Sequence, residues 1–140
     1  MNYPDNCIRG IKTPDLLYED GTPSPEVFYF LGLDRGDGWK EESIDWQDND
    51  HVVQHTLGQR RTDGNIRFRG GVVVLPRVEI DNLNNRPMFR GLLSYERKPL
   101  PENAFHGNIL LKASTIKRTM KVISACLVGY VTDVIPQNSS

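Results

Sequence analysis

His51 and His55 are spaced H-x3-H, which on a helix places two imidazoles on one face within reach of a single zinc ion. The intervening Val52, Val53 and Gln54 favour a strand instead, where four residues span roughly 13 Å, too far for one ion. No metal site is expected here. Residues 34–50 are acidic and contain glycines, but no register of this segment matches the calcium loop of an EF-hand. The Arg35-Gly36-Asp37 tripeptide is read as coincidence. Trp39 and Trp46 lie in the same acidic segment, and two tryptophans near a surface are good anchors for a protein partner. His106, in a bend after Pro99 and Pro101, could serve as a general base, since histidine titrates near neutrality. No GxSxG elbow, catalytic-cysteine context, Walker loop or GxGxxG accompanies it.

Asp81 (or Asp63) followed by Glu96-Arg97-Lys98 supplies two carboxylates and a lysine. Two carboxylates can hold Mg²⁺ while a lysine stabilises charge on an attacked phosphate. This resembles the acidic pair and lysine of restriction-like nucleases, and the resemblance implies metal-dependent phosphodiester cleavage by Asp81, Glu96 and Lys98. Arg60, Arg61, Arg67 and Arg69 could build a nucleic-acid surface, with Arg67 and Arg69 on one sheet face if the local alternation holds. The near-neutral sequence pI, about 6.3, argues against a strongly basic binding domain.

The net charge of −1 conceals an asymmetry: residues 1–50 carry twelve acids against four bases, a balance of −8, and residues 51–140 thirteen bases against six acids, a balance of +7. Two opposed halves facing each other in one fold would account for this, as would a dipolar surface that orients a partner. Cys7 and Cys126 are far apart in sequence with no metal-ligand spacing, so both are expected to be free thiols. The opening residues show neither the basic nor the apolar region of a secretory leader. The most apolar stretch, residues 122–131, falls well short of the roughly 20 residues that span a bilayer. A soluble, cytoplasmic protein without membrane contact or cofactor is expected.

These residues must be positioned by a core that 140 residues are long enough to bury without staples. No linker or repeat divides the chain, so one globular domain over 1–140 is expected, flexible at 1–6 and 136–140. Cys7, Ile8 and Ile11 suit a short strand; residues 27–31, apolar throughout, a doubly buried strand; residues 34–50 a long loop, with a brief strand at most over 43–46. Residues 51–57, 66–69 and 72–75 read as strands forming a hairpin, with a bulge at Gly70-Gly71. Pro76 opens a short helix over 76–84, Met88 to Tyr95 reads as a strand, and 108–111 as another. Apolar residues from Ile116 to Val134, stepping by three and four, predict a C-terminal amphipathic helix capped by Ser114 or Thr115. The expected fold is α+β: a mainly antiparallel sheet of five to six strands with the C-terminal helix packed on one face. The expected function is a non-enzymatic binding or accessory domain acting through a protein partner or a second copy of itself. A nucleic-acid-binding protein, possibly a metal-dependent nuclease, is the alternative.

Overall fold

The computed structural model describes residues 3–137. Six strands, β1 (Asn6–Ile11), β2 (Trp39–Trp46), β3 (Gly71–Pro76), β4 (Leu93–Arg97), β5 (His106–Lys112) and β6 (Asp133–Ile135), form one antiparallel sheet in the order β4-β5-β2-β1-β3-β6. Three helices complete an α+β fold: α1 (Val52–Leu57), α2 (Arg77–Asn84) and the C-terminal α3 (Lys117–Gly129).

Strand alternation divides the core in two. On one face Cys7, Ile44, Trp46, Val73, Leu75, Ile109 and Leu111 pack against Ile80 and Leu83 of α2 and Met120, Ile123 and Leu127 of α3. On the other, Ile8, Val72 and Val74 meet Val52 and Leu57 of α1. Helices therefore cover both faces, with α3 on one as its apolar stripe predicts. No helix among the described residues is long and apolar enough to cross a membrane.

Several elements differ from the sequence expectation, each for a physical reason. Residues 27–31 are not a strand. Ser24 accepts the Glu26 N–H and Pro25 opens a 3-10 turn, Pro25–Phe28, that buries Val27 and Phe28. The brief strand allowed over 43–46 extends back to Trp39, so that residues 39–46 form the eight-residue strand β2, central in the sheet, where 39–42 read as loop. Residues 51–57 are not a strand either. Asn49 accepts the His51 N–H ahead of α1, and Val52 and Thr56, one turn apart, are both buried. The expected 51–75 hairpin therefore does not exist. Residues 66–69 form an irregular segment, with Phe68 laid over Gly10, where a Cβ would come within 2.3 Å of the ring. Gly71 opens β3 at φ +87 rather than marking a bulge, and no side chain would fit there, because a Cβ would sit 2.1 Å from the Ile135 carbonyl oxygen.

Met88 is exposed in a turn before β4. The C-terminal helix stops at Gly129, and Val134 pairs with Val73 in β6. The helix N-cap is Ile116, not Ser114 or Thr115. Of the end segments, Tyr3 packs on Trp46 and Tyr95, Asn6 belongs to β1, and Gln137 donates to the carbonyls of Leu57 and Phe68. Residues 1–2 and 138–140 lie outside the described residues.

Candidate functional site

Asp81 and Glu96 do not converge. Asp81, on α2, accepts from the Tyr95 hydroxyl (2.8 Å) and pairs with Arg77. Tyr95 and Glu96 are consecutive in β4, so their side chains leave opposite faces of the sheet. A single Mg²⁺ cannot bridge carboxylates separated by the sheet. Lys98 is exposed beyond the end of β4, and Asp63 sits in an exposed turn paired with Arg61. The nuclease arrangement is therefore not assembled, and no cluster of three or more His, Cys, Asp or Glu suited to a metal exists among the described residues.

His106 lies directly across from Asp45 on the neighbouring strand, and its Nδ1–H donates to the Lys98 carbonyl. Asp45 is buried, and it is the polar centre that sequence reading missed. Its Oδ2 accepts from Thr56 Oγ1 (2.6 Å) and Gln59 Nε2 (2.8 Å), its Oδ1 from Asn103 Nδ2 (2.8 Å). Asn103 Oδ1 in turn accepts from His55 Nε2 and from the Phe105 N–H. The H-x3-H pair thus does lie at a helix, contrary to the strand reading, but His55 is committed to Asn103 and His51 is exposed. The cavity beside Asp45 and His106 holds about 20 Å³, room for roughly one water. This network fastens α1 and the loop before β5 to the sheet, and leaves no space for a substrate.

Arg60, Arg61, Arg67 and Arg69 occupy the loop between α1 and β3, not a sheet face. Arg60 donates to the Gly64 carbonyl, Arg61 pairs with Asp63, and Arg67 donates to Gln59 and stacks over Phe68. Arg69 is exposed. The shared sheet face expected for Arg67 and Arg69 is not formed. The two oppositely charged parts of the chain do not neutralise each other extensively: among the described residues only Arg35–Glu96 and Arg97–Asp48 join them.

The two tryptophans part company. Trp46 is wholly buried, donates through Nε1 to the Glu96 carbonyl (3.0 Å) and packs on Tyr3 and Tyr95, so it is not available as a surface anchor. Trp39 is half-buried, with Lys112 Nζ 6.0 Å from its ring centroid. It ends a loop whose residues 34–39 are tied down. Asp34 Oδ1 accepts from the N–H groups of Gly36 (2.8 Å) and Gly38 (3.0 Å), both at positive φ, and Asp37 accepts from the Trp39 N–H. Arg35 grips Glu96 with two hydrogen bonds (2.7 and 3.0 Å) and also pairs with Asp37 and Glu41. Directly before this fixed segment stand Leu31 and Leu33, 73% and 90% exposed, which sequence reading also missed. Beside Leu31 opens a cleft of about 360 Å³ walled by Leu16, Val27 and Tyr29, with the Arg9–Glu42 ion pair at its base. Burial there pushes Glu42 up and Arg9 down from their ordinary values, against the attraction between them.

Two carboxylates that Arg35 holds are shifted the other way. Hydrogen bonds from Arg35 hold Glu96 and Asp37 below their ordinary 4.5 and 3.8. Both therefore bind fewer protons folded than unfolded, and their contribution, complete above those values, is lost as pH falls through the lower folded ones. Acidification below about pH 4 is expected to release the loop. The amide cross-peaks of Gly36 and Gly38 should move together as it does, ahead of those of the central strands. Peaks that stay fixed until global unfolding would show that the arginine clamp is not what holds the loop. Comparison with protein-family models, curated proteins and solved structures returns no match.

Proposed function

We propose that this chain is a non-enzymatic binding domain that engages a protein partner through the leucine-tipped loop 31–33, with Trp39 beside it. One observation carries the reading: Leu31 and Leu33 are exposed directly before a segment held by Asp34, Arg35 and two positive-φ glycines. Single exposed leucines are ordinary on protein surfaces. Beside a pre-ordered segment they differ, because binding has less backbone to freeze. The adjoining cleft offers a partner side chain an apolar wall. The same reading places the domain in the reducing cytoplasm. It is supported by two free cysteines, Cys7 with its thiol pushed up to about 12 by burial and Cys126 half-buried.

The test places a photo-crosslinking residue at position 33 and recovers covalent adducts from cells that make the protein. Leu31→Ser with Leu33→Ser is expected to weaken partner capture about tenfold or more. The Gly36 and Gly38 cross-peaks should stay in place. Trp39→Ala is expected to weaken it less, since that ring is half-buried. Absence of any protein adduct at position 33 would remove the proposal.

A further inference from the structure

The outer side of α3 is a second surface, built without the leucine loop. Residues 82–95 and 103–132 contain no aspartate or glutamate. They contain six lysines and arginines, namely Arg86, Arg90, Lys112, Lys117, Arg118 and Lys121. All are exposed, and none makes an ion pair among the described residues. The fold brings the two stretches together. The Lys112 N–H donates to the Leu92 carbonyl (2.9 Å) just ahead of α3, and Arg86 donates to the Tyr130 hydroxyl at its far end. The turn that carries Arg86 and Arg90 therefore lies along one side of the helix, and its Phe89 shares a core cluster with Met120. No acid stands in the first turn of α3, so the positive end of its dipole adds to the lysines. The acids that border this surface stand on other elements. Glu26 is in the turn whose Phe28 carbonyl Ser124 touches, Asp34 and Asp37 are in the loop whose Gly38 carbonyl takes the Ala113 N–H, Glu79 and Asp81 are on α2, and Asp133 is in β6. Asp37 and Asp81 are already paired with Arg35 and Arg77, and Asp34 serves two backbone N–H groups. Apolar side chains stand among the bases: Met88 is 73% exposed, Ile116 63% and Val122 44%. No aromatic ring of the two stretches is exposed.

We propose that this face lies against an anionic membrane surface. The lysines and arginines meet the lipid headgroups, and Met88, Ile116 and Val122 enter the boundary between headgroups and acyl chains. The mixture of side chains selects lipid over the other common polyanion. Nucleic-acid phosphates would use the bases, but would leave the apolar side chains idle and find no exposed ring on which to stack a base. A contact of this kind needs no spanning helix, so it agrees with the shortness of every apolar stretch. The charge asymmetry of the sequence then has a use: the positive part of the chain gathers its unpaired bases on one helical face.

The full chain is expected to sediment with phosphatidylcholine vesicles that contain about 30% phosphatidylserine, not with phosphatidylcholine alone, and to be released as salt rises. Lys117→Glu with Lys121→Glu should weaken vesicle binding about tenfold or more. Met88→Ser with Ile116→Ser should weaken it about threefold or more and leave its salt dependence in place. All these positions are exposed, and serine is favourable at 116, the N-cap of α3, so Tm should not fall. A chain that stays in solution beside the anionic vesicles at low salt overturns the proposal, as does binding indifferent to the lysine variant. Binding unchanged in the serine variant overturns the lipid assignment, because a purely electrostatic site does not sense those side chains. Duplex DNA that displaces the vesicles at equal phosphate concentration overturns it too, in favour of a nucleic-acid surface. Protein capture by the cross-linker at position 33 should survive the lysine variant, so the two surfaces stand or fall separately.

Discussion

Gly107→Ala is expected to lower the stability of the protein by about 3 kcal/mol, read as a fall in the urea midpoint. Trp46 extends from β2 across β5, and its indole Nε1 donates to the Glu96 carbonyl on β4. Gly107 is the point on β5 that the ring crosses. An alanine Cβ at 107 would sit 2.3 Å from Trp46 Nε1 and 2.4 Å from the Glu96 carbonyl oxygen. The first neighbour is a ring fixed in the core and the second is backbone, so neither yields cheaply. Relieving the clash would displace the indole from its acceptor, or part β4 from β5. The same substitution at Gly129, the last residue of α3, meets nothing within 4 Å. There it should be neutral or stabilise by about 0.5 kcal/mol through the unfolded chain. Equal midpoints for the two variants would mean that the indole does not depend on the missing side chain at 107.

That crossing explains why Trp46 was misjudged from sequence. Its neighbours Glu41, Glu42, Asp45 and Asp48 make the segment look solvated, and acidic residues have low strand propensity. Each of these acids is answered from elsewhere in the chain: Glu42 by Arg9, Glu41 by Arg35, Asp48 by Arg97, Asp45 by Thr56, Gln59 and Asn103. Such partners, 6 to 58 residues away along the chain, leave no local signature. Conversely, β3 and α2 were legible because their signals are local. Four consecutive apolar residues at 72–75 suit a strand buried on both faces, and Pro76 directly precedes the helix. Helix α1 falls between the two cases. Val52 and Val53 spoke for a strand, but Asn49 and the one-turn spacing of Val52 and Thr56 spoke for a helix. Tertiary packing decided between them.

The leucine loop was half legible. Asp34, Gly36 and Gly38 are turn formers in any reading, and the acidic, tryptophan-bearing segment was singled out as a partner surface. What sequence could not supply was the clamp. Arg35 reaches Glu96, 61 positions away, and that contact turns a polar loop into a fixed one. The proposed anchors shift accordingly, from the tryptophan pair to Leu31, which in sequence reads as the end of a buried strand, and Leu33, which lies beyond it.

Asp45→Ala is expected to cost about 3 kcal/mol, and Asp45→Asn roughly half as much. Alanine removes the carboxylate to which Thr56, Gln59 and Asn103 donate. Thr56 keeps a second acceptor in the Val52 carbonyl (3.0 Å), and half-buried Gln59 can turn to water. Asn103 has no such recourse. It is buried, and it cannot flip its amide because Oδ1 already serves His55 and the Phe105 N–H. Asparagine at 45 keeps one acceptor but aims N–H groups at other N–H groups. Hydrogen exchange should show where the energy goes: the amides of α1 should lose protection in Asp45→Ala while those of β1 and β3 keep theirs. The sign of the effect also bears on role. Polar groups held for chemistry commonly reduce stability, so their removal stabilises. A large loss at Asp45, confined to the docking of α1, would mark this buried carboxylate as the fastening of the fold. A gain would argue instead that this carboxylate is held for a chemical role.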